Sequence, residues 1–170
     1  MEARMPDFSH LEKLQVTEAS EAEYVFDDIW GEPSIWFHPM TDSNPKFLNE
    51  RVRLAVERAE KAEKETKKQR RAKVLSSDRL EEDRELDRIL MAKTCAVRWG
   101  TAPRDKDGNE VEFSEQNVLD FLRAIPSYML DPVRGWVANP YNFVDRQAAK
   151  PEWADQLGNS TSNDSSGSSD

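Results

Sequence analysis

The chain has 170 residues, of which 34% are charged and 9% aromatic, and its formal net charge at pH 7 is −9. This length suits one domain with appended segments, and an acidic chain is a poor generic partner for DNA or anionic lipid. No window of about 18 apolar residues occurs, so we expect no membrane-spanning helix. The N-terminus lacks an apolar signal segment, and the single cysteine, Cys95, excludes an intrachain disulfide. We therefore expect a cytoplasmic protein.

A short β-hairpin is predicted near the N-terminus, after a polar segment over residues 1–22 that we expect to be flexible. Two β-prone runs, Tyr24–Ile29 and Ser34–His38, flank the turn sequence Trp30-Gly31-Glu32-Pro33. Pro39 ends the second run, because proline cannot donate a hydrogen bond to a neighbouring strand.

A long charged helix is predicted from Pro45 to about Lys73. Ser43 or Asn44 can cap its first turn, and proline is favoured at the first helical position. Its apolar positions are spaced by three and four residues: Leu48, Val52, Ala55, Val56, Ala59 and Ala62. We expect the first half of this helix to pack on the core through that stripe and the second half to project into solvent.

A second helix is predicted after the break at Ser76-Ser77-Asp78, with Ser77 or Asp78 as its N-cap. Its apolar face consists of Leu86, Ile89, Leu90, Ala96 and Val97, and its first turns are acidic. The preceding helix ends in a basic run, Lys64–Lys73. Because the connection is short, the two helices should form an antiparallel hairpin over about residues 45–98, with the basic and acidic ends side by side.

The segment from Trp99 to Leu122 is predicted to contain a helix exit, a tight turn, a short strand and a new helix. Asp107-Gly108-Asn109 is strong turn chemistry, because glycine accepts a positive φ. Val111 and Phe113 alternate with glutamates, which is the period of a half-buried strand. Ser114 stands at the N-cap position of the next helix.

Small helices are predicted in the C-terminal part. A helix containing Leu119 and Leu122 closes at Pro126, and residues 127–138 form another. The C-terminal tail over residues 146–170 is predicted to be flexible. From Gly158 onward it contains only Gly, Asn, Ser, Thr and Asp, which cannot bury apolar surface, so that part should be disordered. The predicted fold is therefore α+β and mainly helical, with a single folded domain over residues 23–145.

Catalytic and metal-binding constellations are not predicted. His10 and His38 lie far apart and Cys95 has no partner cysteine, so the spacing of a zinc site is missing. A nucleophilic Cys95–His38 pair is formally possible but has no local signature. The run from Asp105 places Gly108 fourth, whereas an EF-hand loop needs its glycine sixth. We expect no enzyme activity, no metal and no cofactor.

The basic run Lys64–Lys73 is the part of the chain with the chemistry to contact nucleic acid. No aromatic residues interleave with its lysines and arginines, and the whole chain is acidic. The run is better interpreted as a solvated helix end that an acidic neighbour balances. A small nucleic-acid-binding regulator stays the weaker alternative.

Several motifs occur in a characteristic order over roughly residues 22–144. They are Gly31-Glu32-Pro33 leading into Ile35–Met40, Asn44–Asn49 opening the long helix, Trp99, the turn Asp107-Gly108-Asn109 followed by Val111–Ser114, the short helix with Leu119 and Leu122, and Asn142-Phe143. In this order the chain resembles the small tail assembly chaperones of long-tailed bacteriophages and related prophages. Its extended charged helix, Ala55–Lys73, departs from the simplest members of that group.

The resemblance implies a non-enzymatic protein of the infected host's cytoplasm. Such chaperones bind the tape-measure protein, keep its long apolar helices soluble and recruit major tail-tube subunits. The alternative within the same biology is a structural phage protein, either a minor tail component or a head–tail joining component. The sequence leaves the oligomeric state open.

Aromatic residues are the candidate anchors for an apolar client, because aromatics dominate interface hot spots. The predicted partner-binding residues are Trp136, Tyr141, Phe143 and Trp153. Trp153, beside Pro151 and beyond the last predicted helix, is the best candidate for an exposed anchor. Trp36 and Trp99 are flanked by patterned elements and are interpreted as core residues.

Overall fold

The computed structural model describes residues 9–64, 77–145, 148 and 150. The chain divides into two compact units, Val16–Phe143 and the pair of terminal segments Met1–Gln15 with Val144–Asp170. In the terminal unit the described residues include a 3₁₀-helix over Ser9–Leu14. The larger unit holds the sheet and the α-helices, and begins earlier than the domain predicted over residues 23–145. The fold is mixed α+β and mainly helical, as predicted.

A three-stranded antiparallel sheet forms one part of this unit. Its strands are β1 (Ala22–Val25), β2 (Ser34–Phe37) and β3 (Ala96–Trp99), in the order β1-β2-β3. The predicted hairpin is confirmed by β1 and β2, which pair Tyr24 with Ile35.

The third strand corrects the sequence prediction, which placed Ala96 and Val97 in a helix. In the structure these residues belong to β3, which pairs antiparallel with β2. A four-residue run is too short for its period to distinguish strand from helix. The decision comes from outside the run, because the second edge of β2 offers backbone partners that only an extended segment can satisfy.

Four α-helices lie in the described part of the larger unit. They are α1 (Pro45–Glu63), α2 (Ser77–Leu90), α3 (Glu115–Ala124) and α4 (Ser127–Val137). A π-helical turn, Met91–Cys95, joins α2 to β3, and a 3₁₀ turn, Pro140–Phe143, follows α4. The predicted continuation of the first helix from residue 65 to Lys73 lies outside the described residues.

Two of the predicted side-chain caps, at Asn44 and Ser114, are confirmed. The Asn44 side-chain oxygen accepts from the Phe47 N–H at 3.3 Å, and the Ser114 hydroxyl accepts from the Asn117 N–H at 3.1 Å. The predicted strand at Val111–Phe113 is wrong, since this segment contains no strand. An isolated bridge joins Arg104 to Glu110 instead, and the Phe113 ring packs edge-on against Trp99 with centroids 5.8 Å apart.

The hydrophobic core lies where the sheet meets the helices. Its fully buried side chains include Phe26, Ile35, Phe37, Met91, Val118, Leu122, Leu130, Val133 and Val137. Edge-to-face aromatic contacts extend this core, because the Phe121 ring lies 5.0 Å from Phe26 and 5.7 Å from Trp99. The sheet, α3 and α4 therefore share one core.

Ionic contacts attach α2 to the C-terminal helices. The pairs are Arg84–Asp131 at 2.9 Å, Arg134–Asp87 at 2.7 Å and Arg123–Glu85. Arg88 is buried and donates through Nε to the Leu122 carbonyl at 3.2 Å. Several charged side chains of α2 therefore bond other helices of the unit instead of facing only solvent.

Asn44 joins three elements at one buried point. Its side-chain nitrogen donates to the carbonyls of Pro39 and Thr94, each at 3.1 Å, while its oxygen caps α1. Pro39 follows β2, and Thr94 lies in the turn between α2 and β3. The residue is only 4% exposed, so each of these bonds is made away from water.

We expect Asn44→Ala to lower the free energy of unfolding by about 2–4 kcal/mol, because it removes an N-cap and leaves two buried carbonyls without a donor. Asn44→Ser should fall between the alanine variant and the wild type, since a serine hydroxyl can still cap α1. Urea unfolding followed by circular dichroism measures both. Equal stability of the alanine variant and the wild type would contradict the assignment.

A substitution at Gly108 tests the backbone conformation of the turn, because it changes no packing contact. Its φ is +84°, and a Cβ built there would meet nothing within 4 Å. Gly108→Val should therefore cost about 1–2 kcal/mol through backbone strain alone. The same unfolding experiment applies, with Lys106→Val as the control for adding a β-branched residue to this turn.

Candidate helix-binding surface

An apolar stripe runs along the outer face of α1. It comprises Leu48, Val52, Ala55, Val56 and Ala59, all of them exposed, and we refer to it as the α1 stripe. The larger side chains remain 38% exposed at Leu48, 57% at Val52 and 52% at Val56. Scattered exposed apolar residues are normal, whereas a continuous exposed row along one helix is a candidate interaction surface.

The inner face of α1 is carried by other residues. Phe47 is buried and Leu54 packs against the core. At about 100° per residue these two positions lie on the side of the helix roughly opposite Val52. The prediction that the α1 stripe packs on the core is therefore wrong. The helix has two apolar faces, and Phe47, with the larger side chain, takes the inner one.

Polar contacts with α2 and with the π-helical turn that follows it hold α1 in this rotation. Glu50 bonds Lys93 at 2.8 Å, and Arg58 bonds Asp83 at 2.8 Å. Hydrogen bonds from Arg53 and Lys93 lower the pKa of the Glu50 carboxyl to about 2. These contacts confirm an antiparallel arrangement of the two helices. They hold the side of α1 that carries Glu50 and Arg58 toward α2, which leaves the stripe outward.

The geometry of the α1 stripe matches a helix-pairing seam. The steps from Leu48 to Val52, Ala55 and Ala59 are four, three and four residues, the alternation found at coiled-coil contact positions. The side chains decrease in size toward Ala59. A small residue lets a second helix approach closely, at the short end of the usual distance between packed helix axes, about 8–10 Å. The stripe can therefore accommodate an amphipathic helix.

The loop between β1 and β2 presents a second exposed apolar group. Trp30 is 93% exposed, and it is followed by two residues with positive φ, Gly31 at +86° and Glu32 at +44°. The Phe26 N–H donates to the Pro33 carbonyl at 2.9 Å, which closes the loop over buried residues. Trp30 is not among the four predicted partner-binding residues. The usable signal was its place at the tip of a hairpin, directly before glycine.

The predicted partner-binding residues have different fates. Trp136 is half-buried and contacts Tyr24 and Phe143, with ring centroids 5.3 and 5.5 Å away. Phe143 is buried, so both rings contribute to the core rather than to a free surface. Tyr141 is 66% exposed and can contact a partner. Trp153 lies outside the described residues.

Cys95 and His38 do not form a nucleophilic pair. The Cys95 thiol is fully buried beside the Thr94 hydroxyl and the Asn44 amide, at 3.4 and 3.9 Å. Burial raises the pKa of the thiol to about 12. The His38 ring nitrogen Nδ1 instead hydrogen-bonds the Ser20 carbonyl at 3.0 Å. Cys95 thus behaves as a small core residue.

Two further findings concern metal binding and membrane insertion. Among the described residues no cluster of three or more acidic, histidine or cysteine side chains could hold a metal ion. No α-helix in the described ranges is long and apolar enough to cross a bilayer. Of the basic run Lys64–Lys73, only Lys64 is among the described residues, so the interpretation of the run stays a prediction.

Comparisons with known proteins found no matching family model, no matching curated protein and no matching solved structure.

The burial of Cys95 predicts a slow thiol. At pH 8 about one thiol in ten thousand is ionised if its pKa is about 12, and the thiolate is the reacting form. A chromogenic disulfide reagent should label Cys95 slowly in the native protein and fast in denaturing guanidinium chloride. Tyr128→Cys adds a thiol at an exposed position and should give one fast group per chain. Equally fast labelling of native Cys95 would contradict the assignment.

Proposed function

We propose that this protein is a non-catalytic binding protein that holds apolar helices of a partner, and that it acts as a phage tail assembly chaperone. The observation that carries the proposal is the α1 stripe. A row of leucine, valine and alanine side chains faces solvent on a helix whose opposite face already packs on the core.

A partner helix would gain burial on this surface. Covering the exposed parts of Leu48, Val52 and Val56 contributes about 1 kcal/mol for each side chain, since a fully exposed aliphatic side chain gains about 1.5–3 kcal/mol on burial. Such a contact is modest for one helix segment. Repeated along a long client it keeps apolar helices from associating with one another, which is the chemistry of a holding chaperone.

The sequence motifs supply the identity of the client in this proposal. The order of motifs over residues 22–144 resembles tail assembly chaperones, whose client is the tape-measure protein with its long apolar helices. Major tail-tube subunits are the second partner that the resemblance implies. A protein that holds a client during assembly works in the host cytoplasm and is absent from the finished particle, unlike a minor tail or head–tail joining component.

Replacing two residues of the α1 stripe tests the proposal. Val52→Glu/Val56→Glu places charges where a client helix would pack, and burying an unpaired charge is costly. When the chaperone is co-expressed with the tape-measure protein of the same phage, the wild type should raise the soluble fraction of the client severalfold. The double variant should give no more soluble client than the tape-measure protein expressed alone.

Val25→Glu is the matched control, because Val25 is also an exposed valine, at 44%, but lies on β1. It should support the client as the wild type does, once circular dichroism shows that all variants are folded. Wild-type protein that neither binds nor solubilises the tape-measure protein would refute the proposal. Stoichiometric protein in purified particles would favour the structural component instead.

A further inference from the structure

The α1 stripe has borders of unequal charge. At about 100° per residue, Arg51 and Arg58 lie along one edge. Arg58 already pairs with Asp83, whereas Arg51 has no ion-pair partner among residues 9–64 and 77–145. The Arg51 guanidinium instead lies 5.9 Å from the centre of the Phe47 ring. One edge of the stripe therefore carries a positive charge that no carboxylate in the described structure neutralises.

The opposite edge carries less free charge in its first half. Asn49 is neutral, and Arg53 bonds both Glu50 and Glu57. The first charged residue on this edge that forms no ion pair with the helix is Glu60, more than two turns beyond Arg51. Next to Leu48 and Val52, where the apolar side chains are largest, Arg51 is therefore a flanking charge without an ion-pair partner in the described structure.

We infer that the α1 stripe selects a partner helix with acidic side chains along the flank that faces Arg51 and Arg58. This inference rests on the proposed helix-binding function and adds the charge of the client. Charges at the flanks of a helix pair decide partner choice and orientation, while the apolar seam supplies most of the affinity. Glutamate or aspartate opposite Arg51 completes an ion pair that the free protein lacks.

A second copy of this chain fits the stripe less well. When two α1 helices pair antiparallel, the Arg51–Arg58 edge of one meets the same edge of the other, and like charges oppose the contact. When they pair parallel, Arg51 meets the valine at position 56 and gains no partner.

Two synthetic amphipathic peptides of about three heptads test the inference, since both carry leucine at the seam positions. One peptide has glutamate at its flanking positions and the other has lysine. Fluorescence anisotropy at low salt reports the affinity of each. Wild-type protein should bind the glutamate-flanked peptide, and Arg51→Glu should weaken that binding about twofold to fivefold and strengthen binding of the lysine-flanked peptide by a similar factor.

Lys106→Glu is the matched control, because it makes the same change of net charge at an exposed turn residue outside α1. It should alter the two affinities much less than Arg51→Glu does. Equal effects of the two variants would show that only net charge matters and would overturn the inference. Val52→Glu should abolish binding of both peptides, which shows that they occupy the stripe.

The remaining outcomes are also decisive. If the wild type binds neither peptide, or binds both without response to Arg51→Glu, the charge selection is refuted. Solubilisation of the tape-measure protein in the co-expression experiment would leave the proposed function standing in that case. If sedimentation shows a dimer of the protein alone that Val52→Glu dissociates, a second copy occupies the stripe and the inference is overturned.

Discussion

The position and rotation of α1 depend on one buried side chain, Asn44. Its amide bonds the chain after β2, the first turn of α1 and the turn that leads into β3. No aliphatic residue could satisfy two carbonyls and an N–H at the same point, and a buried amide that makes all three bonds stabilises one geometry over its alternatives. The sheet and the helical hairpin are thereby held in a fixed relation.

The outward orientation of the α1 stripe follows from the hydrogen bonds of Asn44. Once Asn44 fixes where the helix begins, Phe47 falls on the core side one turn later, and the row beginning at Leu48 falls outside. The ion pair between α1 and α2, and the one between α1 and the turn after α2, oppose a rotation that would bury the row. A helix with two apolar faces can bury only one of them on a single small core, and the second stays exposed.

Charged side chains, rather than apolar ones, attach α2 to the C-terminal helices. The sequence of α2 looks like a solvated helix, yet Arg84, Asp87 and Arg88 each bond the C-terminal helices. Ionic docking suits a chain with many charged residues, because exposed pairs specify an arrangement while contributing little stability each. Burial raises the pKa of the Asp87 carboxyl, although Arg134 opposes that shift. The apolar residues of the unit are thus kept for the core and for the α1 stripe.

Local chemistry allowed the sequence to predict several elements correctly. The caps at Asn44 and Ser114, the positive φ of Gly108, the β1–β2 hairpin and the four α-helices depend on residues close together in the chain. The mainly helical α+β class follows from those elements. The predicted site fared less well, because burial decides whether an aromatic residue is an anchor. Trp136 and Phe143 lie in or against the core, whereas Trp30 is exposed.

By itself the sequence therefore determined the elements whose signals lie within one or two turns of chain, and the apolar period of α1. Only the tertiary structure decided that Ala96–Trp99 is a strand. Its partner is β2, about 60 residues earlier in the chain, and the backbone groups of the two segments satisfy one another by hydrogen bonds. It also decided which apolar face of α1 is inward. Periodicity shows that a helix has an apolar face, but only the competition among side chains for one core determines which residues reach it.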